Sequence, residues 1–322
     1  MTGLPLITGA TGFAGSHLLD LLRAAAAPHP PTAPVAAAWA NPHGAAIRDE
    51  GPGVRWRRVD VLDRQAVAAA IADLAPSAIY HCAGAADVGR SWADPISPLK
   101  VNALGTLHLL DAVRDAGLAC PVVVTGSAAV YRPSLDATGE DAALGPSSPY
   151  GLSKLAQEMI AARATAGRVL LARPFNHAGP RQSPTYATSG FARQIAEIEA
   201  GTIPPVISVG NLDARRDISD VRDVVRAYRL LAERGRPGRP YNICCGRAYR
   251  VGDLLEMLLG MARTRVTVTI DPARLRPSDN PVVLGDARRI EAELGWRAEI
   301  PIERTLADLL DYWRSRVAVP RV

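Results

Sequence analysis

Apolar and polar positions along the chain alternate between short, continuous hydrophobic runs and segments of helical period. Leu4–Thr8 is an apolar run that stops at a glycine turn, and Phe13–Ala27 then has helical periodicity. After a proline-rich, exposed connection (AAAAPHPPTAP), Val35–Trp39 and Val54–Val59 read as the second and third strands. Asp63 caps a helix running through Leu74, which Pro76 closes. Ala78–His81 is a fourth strand, Pro98–Ala116 a long helix, and Val122–Thr125 a fifth strand. Tyr150–Ala166 is again helical and Val169–Ala172 again a strand. This rhythm predicts an α/β fold: a doubly wound parallel sheet of the Rossmann type, covered on both faces, with ligands at the carboxyl ends of its strands.

After Arg173 the rhythm loosens, and prolines and glycines crowd Pro174–Pro184. Helices are predicted at Thr188–Ala200, Ser219–Glu233, Asp253–Ala262, Ala287–Leu294 and Ile302–Val317, with strands at Val206–Val209 and Tyr241–Cys245. Residues 1–173 are therefore expected to form the Rossmann domain, to which elements near 212–245 return. Residues 174–322 are expected to form mainly a smaller C-terminal lobe. No internal repeat is evident.

Composition narrows the classes. Of 322 residues, 48% are hydrophobic and 21% charged, which is the balance of a folded soluble protein. No apolar run reaches the ~18 residues a membrane span needs. The N-terminus lacks a basic region followed by an apolar signal core, so a cytoplasmic protein is expected. The four cysteines, Cys82, Cys120, Cys244 and Cys245, lack metal-ligand spacing, and the adjacent pair on one strand would face opposite ways. His17, His29, His43, His81 and His108 form no cluster, so no metal site is expected. The 37 basic and 32 acidic side chains are interspersed, giving a net charge of +5. That argues against a nucleic-acid partner and for local phosphate binding by arginine.

The chemistry begins in Gly9-Ala10-Thr11-Gly12-Phe13-Ala14-Gly15, a Gly-x-x-Gly-x-x-Gly turn between a strand and a helix. Its first two glycines let the backbone approach a pyrophosphate, the third lets the helix pack close, and the helix start attracts the anion. Asp60 and Val61, after the third strand, suit an adenine amino group. Ala83, Gly84 and Ala85, after the fourth, bring small residues to the same ligand. Asn102 is either a polar anchor for that ligand or a helix-surface amide. The ligand is read as NAD or NADP. Trp39-Ala40-Asn41-Pro42-His43 contains neither the acid that would hold a ribose hydroxyl nor the arginine that would welcome a phosphate, so the choice stays open.

Tyr150 and Lys154 stand four apart on one helix and share a face. The ammonium is expected to lower the phenol pKa and to hold the nicotinamide ribose, which suits Tyr150 to acid–base work. Ser127, at the end of the fifth strand, is placed to hydrogen-bond the same carbonyl oxygen.

TGATGFAG, GSAAVY and SPYGLSK resemble the extended short-chain dehydrogenase/reductases that act on nucleotide sugars, the NAD-dependent epimerase/dehydratase family. RPFNHAGPRQSP, GNLDARRDISDVRD and LRPSDNP resemble the branch holding GDP-mannose 4,6-dehydratases and GDP-6-deoxy-D-mannose reductases. The likeness runs over nearly the whole chain, and FARQIAEIE and YNICCG are nearer the reductases. It implies catalysis by Ser127, Tyr150 and Lys154. It implies cofactor contacts from Thr11, Phe13, Ala14, Thr125, Pro174 and Phe175 besides the residues above. The candidate substrate residues are Ser91, Ser127, Asn176, Arg181, Arg193, Arg216 and Arg276, with Arg173 and Arg215 as further cations. Ser91 competes as a helix cap, and His177 is either a second acid or a structural histidine. A homodimer pairing the helices of residues 98–116 and 150–166 is implied as well.

One position separates the activities. Dehydratases of the branch carry an acid two places before the tyrosine of the Ser-x-x-x-Tyr segment, where this chain has Ala129 in Ser127–Tyr131. Reductases of the branch often carry a glutamate there too, and Tyr131-Arg132 replaces the usual Tyr-Gly pair, so the chain is typical of neither. The expectation is an NAD(P)H-dependent reductase of a nucleoside-diphosphate 4-keto-6-deoxy sugar, with GDP as the nucleotide. A 4-epimerase with tightly bound NAD, a 4,6-dehydratase and a non-catalytic cofactor-binding scaffold remain as alternatives.

Overall fold

Strands buried on both faces need helices above and below them, and the apolar runs of the first half obtain them. The computed structural model describes residues 3–26, 33–44, 47, 53–165, 167–274 and 280–317. Ala27, residues 28–32 of the proline-rich connection, and Ala166 lie outside these. In chain order come β1 (Pro5–Thr8), α1 (Phe13–Ala25), β2 (Ala36–Ala40), β3 (Val54–Arg58), α2 (Arg64–Leu74) and β4 (Ala78–His81). There follow α3 (Val88–Ala93), α4 (Ile96–Leu99), a π-helical turn (Lys100–Leu104), α5 (Gly105–Asp115), β5 (Pro121–Thr125), α6 (Pro149–Ala162) and β6 (Arg168–Pro174).

The second half contributes β7 (Asn176–Ala178), α7 (Ala187–Glu199), β8 (Val206–Val209), β9 (Arg215–Asp220), α8 (Val221–Arg234) and β10 (Pro240–Ile243). It ends with β11 (Ala248–Arg250), α9 (Val251–Gly260), β12 (Thr267–Ile270), β13 (Val282–Val283), α10 (Arg288–Leu294) and α11 (Ile302–Val317). Seven parallel strands form the main sheet in the order β10-β6-β5-β4-β1-β2-β3, the doubly wound arrangement expected. Helices α1 and α8 cover one face with Leu18, Val224 and Tyr228; α2 and α5 cover the other with Val67, Ile71 and Leu109. Complete burial of these side chains contributes about 1.5–3 kcal/mol each. A separate core of Phe191, Ile195, Ile207, Leu254, Leu258, Leu306 and Leu309 joins α7, β8, α9 and α11.

Two departures from the sequence reading bear on the site. The helix expected at Pro98–Ala116 starts earlier, at Ile96, and carries the π turn at Lys100–Leu104, which places Asn102 in the interior. Arg215–Asp220 is a strand, although RRDISD has no apolar run. Pairing with β7, β11 and β13 decides its conformation, so the helix expected from Ser219 begins at Val221.

Candidate active site

The glycine turn is held from both sides by backbone. The Ala10 N–H donates to the Trp39 carbonyl at 3.1 Å, and the Gly12 N–H to the Gly9 carbonyl at 2.9 Å. Gly9 has φ +66°, and a Cβ there would stand 2.7 Å from the Ala83 backbone. A Cβ on Gly15 would meet the Gly9 carbonyl oxygen at 2.3 Å, so the start of α1 lies pressed against the turn. No side chain caps α1 at Gly12, which keeps its first N–H groups and the positive end of its dipole for an anion. These are cradles that side chains would fill, and they fit a dinucleotide pyrophosphate. Thr11 and Ala14 are partly exposed beside them. Phe13 stacks on His177 at 5.6 Å and meets His17 edge-on at the same separation.

The Ala83-Gly84-Ala85 segment lies between Asn102 and Lys154. The Ala83 N–H donates to Thr8 Oγ1 at 3.2 Å. A Cβ on Gly84 would come within 2.8 Å of Asn102 Oδ1 and 3.5 Å of Lys154 Nζ. Asn102 is fully buried, and its amide is neither a surface group nor a ligand anchor. It accepts from the Ala85 N–H (2.9 Å) and donates to the Ala85 carbonyl (3.1 Å) and Ser153 Oγ (2.8 Å). It shapes the loop from behind. Asp60 bends its own turn by accepting from the Leu62 N–H, and Val61 packs on Gly105. Pro174 ends β6. Phe175 departs from its expected cofactor contact: its ring is buried with Val130, Tyr131 and Cys244, and its N–H and carbonyl bond Ile243 and His177.

Ser127, Tyr150 and Lys154 do come together. Ser148 caps α6 by accepting from the Gly151 N–H at 3.1 Å, and Pro149 occupies its first turn. Ser127 lies close enough to the Tyr150 phenol to work against its raised pKa, and its hydroxyl receives the Ala129 N–H at 3.1 Å. Lys154 Nζ donates to the Thr125 carbonyl at 2.8 Å and to Gln157 Oε1 at 2.9 Å. The electrostatics correct the expectation of a lowered phenol. Burial raises the Tyr150 pKa, and only the Ser127 hydrogen bond works the other way. Burial also brings Lys154 down to about 8. The phenol is therefore a held proton donor. Ala129 lies against the first turn of α6, where a Cβ on Gly151 would stand 2.4 Å from its carbonyl oxygen. The backbone of Ala129, the position where the resemblance expects a dehydratase acid, thus lies against the helix that carries Tyr150.

Several expected substrate residues have other tasks. Ser91 is buried; its hydroxyl receives the Tyr150 N–H at 3.2 Å and donates to the Val88 carbonyl at 2.7 Å. It pins the first turn of α6, the capping role that competed for it. Arg181 reaches Asp20 on α1 at 2.6 Å. Arg193 pairs with Glu197 on its own helix at 2.8 Å and lies over Trp313. Arg173 is buried, bonding the Glu158 carboxylate with two donors, Tyr131 Oη at 2.7 Å and the Glu140 carbonyl at 3.0 Å. Solvation decides the case of Arg173, because a cation cannot enter the interior without a partner, whereas Arg181 and Arg193 form pairs at the surface. Asn176 is exposed on β7, in register with Ile218 of β9. Arg216, near the start of β9, donates to the carbonyls of Arg215 (2.7 Å) and Pro281 (3.3 Å), and burial lowers its pKa. Arg276 lies outside the described residues. His177 donates from Nδ1 to the Phe175 carbonyl at 3.0 Å, the structural role rather than a free acid.

Two participants escaped the sequence reading. Tyr186, just before α7, donates its phenol to the Ala86 carbonyl at 2.9 Å and is near enough to Tyr150 for their ionisations to oppose each other. Gln157, three residues past Lys154 on the same helix, had a spacing that could have revealed it.

With this geometry, the comparisons agree. A family model described as GDP-mannose 4,6 dehydratase matches residues 6–309. A Pseudomonas aeruginosa protein named GDP-6-deoxy-D-mannose reductase is 35% identical over 98% of this chain and 99% of its own. A Vibrio cholerae GDP-mannose 4,6-dehydratase is 25% identical over 95% of this chain and 92% of its own. Among solved structures, RMD from Pseudomonas aeruginosa complexed with NADPH superposes with a TM-score of 0.81 at 32% identity, covering 98% of this chain and 100% of that one. Thermus thermophilus UDP-glucose 4-epimerase complexed with NAD gives 0.83 at 26% identity, covering 98% and 99%. A glycine cradle, a buried tyrosine–lysine pair and a match of this length leave one assignment: the chain is a member of the GDP-mannose 4,6-dehydratase family of NAD(P)-dependent nucleotide-sugar enzymes.

Proposed function

We propose that this enzyme is an NADPH-dependent 4-ketoreductase of a nucleoside-diphosphate 4-keto-6-deoxy sugar, with GDP-4-keto-6-deoxy-mannose as substrate. The observation that carries it is a buried Tyr150 beside Ser127, its phenol pKa raised by burial, in a chain with Ala129 where the resemblance places the dehydratase acid. When bound, the reduced nicotinamide supplies hydride to carbon 4 of the sugar. Tyr150 Oη then gives its proton to the developing alkoxide, Ser127 Oγ fixes the carbonyl oxygen, and Lys154 holds the cofactor ribose. Residues 174–322, apart from β10, which joins the main sheet, and α8 and α10, which pack on it, form the substrate lobe in this reading, with Asn176 and Arg216 facing the nucleotide sugar.

NADPH is favoured by the end of the sheet. Asn41 stands where an acid would repel a phosphate. Arg55 and Arg57 both turn to Asp73 on α2, so alternation along β3 turns the exposed Arg58 to the α1 face, in register with Ala40. The neighbour complexed with NADPH supports the same choice. A homodimer is proposed because α5 and α6 expose Leu107, Leu152 and Met159 beside Leu104, Ile96 and Trp92; a monomeric mass by light scattering would refute it. The reading also places the enzyme in the cytoplasm, which cell fractionation tests.

The 4-epimerase remains the second reading, because that activity is named for a neighbour of the same fold. Stoichiometric oxidation of added NADPH by the 4-keto sugar separates the two, since an epimerase consumes none. Tyr150→Phe is expected to lower that rate about 10²–10⁴-fold while leaving NADPH affinity unchanged. Turnover without cofactor consumption would overturn the proposal.

A further inference from the structure

Behind the active site lies a chain of buried polar side chains: Thr8, His81, Thr106 and Gln157 are each fully buried. With the His81 ring neutral, as its burial requires, their protons follow from what each group can donate and accept. Thr106 Oγ1 stands 2.7 Å from the Asn102 carbonyl, which can only accept, so the single hydroxyl proton of Thr106 goes there. Thr106 must then accept from its other two neighbours, His81 Nε2 at 2.9 Å and Gln157 Nε2 at 2.9 Å. His81 is therefore protonated on Nε2, and its bare Nδ1 accepts from Thr8 Oγ1 at 2.8 Å. Thr8 in turn accepts the Ala83 N–H of the cofactor loop. At the far end, Lys154 can only donate, so the Gln157 oxygen faces it. A flipped amide would set two donors together at Lys154 and leave an oxygen facing a spent hydroxyl at Thr106. The direction of every hydrogen bond is forced.

We propose that Gln157 is a positioning residue for the Lys154 ammonium, and that His81, acting through Thr106, locks its amide in the one orientation that works. Two of the three Lys154 N–H donors are thereby fixed, on Thr125 and Gln157, and the third remains for a ligand hydroxyl beside Gly84. The relay also ties the strand end that carries the glycine turn to the helix that carries the lysine. Burial keeps His81 neutral, its pKa reduced to about 3 by desolvation and then by the Lys154 charge, so the lock does not open at ordinary pH. The titratable groups around the ammonium are His81 and Cys82 at the end of β4 and Tyr150 on its own helix; Cys82 is kept a thiol by burial.

This proposal rests on the dinucleotide-binding reading but not on the identity of the sugar. The test is the NADPH dissociation constant, followed by fluorescence from about pH 6 to pH 10, for wild type, Gln157→Met and Gln157→Glu. Removing a charge-assisted acceptor by Gln157→Met should weaken binding about tenfold. It should also move the alkaline loss of affinity below the wild-type position near pH 8 that the Lys154 value sets. Gln157→Glu, which gives the ammonium a carboxylate, should move that loss upward. A merely structural role would weaken binding without shifting the two profiles in opposite senses, and that outcome overturns the proposal. In wild type, ¹⁵N NMR of labelled histidine should show His81 as the neutral Nε2–H tautomer; an Nδ1–H or doubly protonated ring overturns the lock. A wild type that binds no dinucleotide would sink the function above and this proposal together, whereas unmoved variants sink only the latter.

Discussion

Replacing Glu158 by leucine should be among the most damaging single changes in the protein, because it breaks a buried ion pair from one side. Its carboxylate takes two donors from Arg173, and both residues are buried, one on α6 and one on β6. Burial disfavours the guanidinium charge more than any one contact favours it, but the Glu158 hydrogen bonds and charge together with the Tyr131 phenol outweigh it and hold the Arg173 pKa above its usual value. Glu158→Leu preserves volume and leaves that charge with two neutral acceptors, Tyr131 Oη and the Glu140 carbonyl. Breaking a buried pair from one side costs about 3–5 kcal/mol. With a urea m-value of about 3 kcal/mol/M, the unfolding midpoint should fall by at least ~1 M. Adding Arg173→Leu removes the stranded charge and should recover about half of the loss, the remainder being the Glu140 carbonyl left without its donor. A midpoint shift under ~0.3 M for Glu158→Leu, or a double variant worse than the sum of the singles, would refute the reasoning. NADPH turnover should fall with stability, because the pair fixes α6, which carries Tyr150 and Lys154, to the sheet.

Acid stability should report on His17, which donates to the Pro180 carbonyl and is lowered from 6.5 to about 4 by burial and then by Arg181. Below pH 6.5 the unfolded chain binds a proton the native state refuses, so this stability is complete above 6.5 and lost as pH falls towards 4. Between about pH 7 and pH 5, wild type should lose about 2 kcal/mol more in urea unfolding than His17→Gln; parallel pH profiles would contradict this. Gly15→Ala should weaken NADPH binding at least ~10-fold, since its Cβ would fall 2.3 Å from the Gly9 oxygen; unchanged affinity would show that α1 can retreat from the turn. Arg58→Glu should weaken NADPH more than tenfold while NADH binding changes by about threefold or less, as isothermal titration would measure; equal losses would remove Arg58 from the phosphate site.

Much of the site was legible because its elements are local. A strand, a three-glycine turn and a helix start are consecutive, and Tyr150 and Lys154 share a face through helical spacing alone. Ser127 could be placed because it ends a recognisable strand. The residues assigned less well are those whose partners lie far along the chain. Arg181 meets Asp20, Ser91 meets the Tyr150 backbone, and Asn102 meets Ala85 and Ser153 only because a π turn rotates it inward.

The alternation of apolar runs and helical periods was enough to determine the doubly wound sheet, since both periodicities are properties of neighbouring residues. Chemistry-bearing residue types in consecutive motifs were enough to point to a glycine turn between strand and helix and to a helix carrying tyrosine and lysine on one face. Tertiary packing alone decided which polar groups face a ligand and which satisfy one another. A buried charge or amide must take whatever complementary partner the fold brings within 3 Å or so, and that partner has no fixed distance in sequence. So the same type of side chain became a structural pair at Arg173, a surface tie at Arg181 and a candidate for the nucleotide sugar at Arg216.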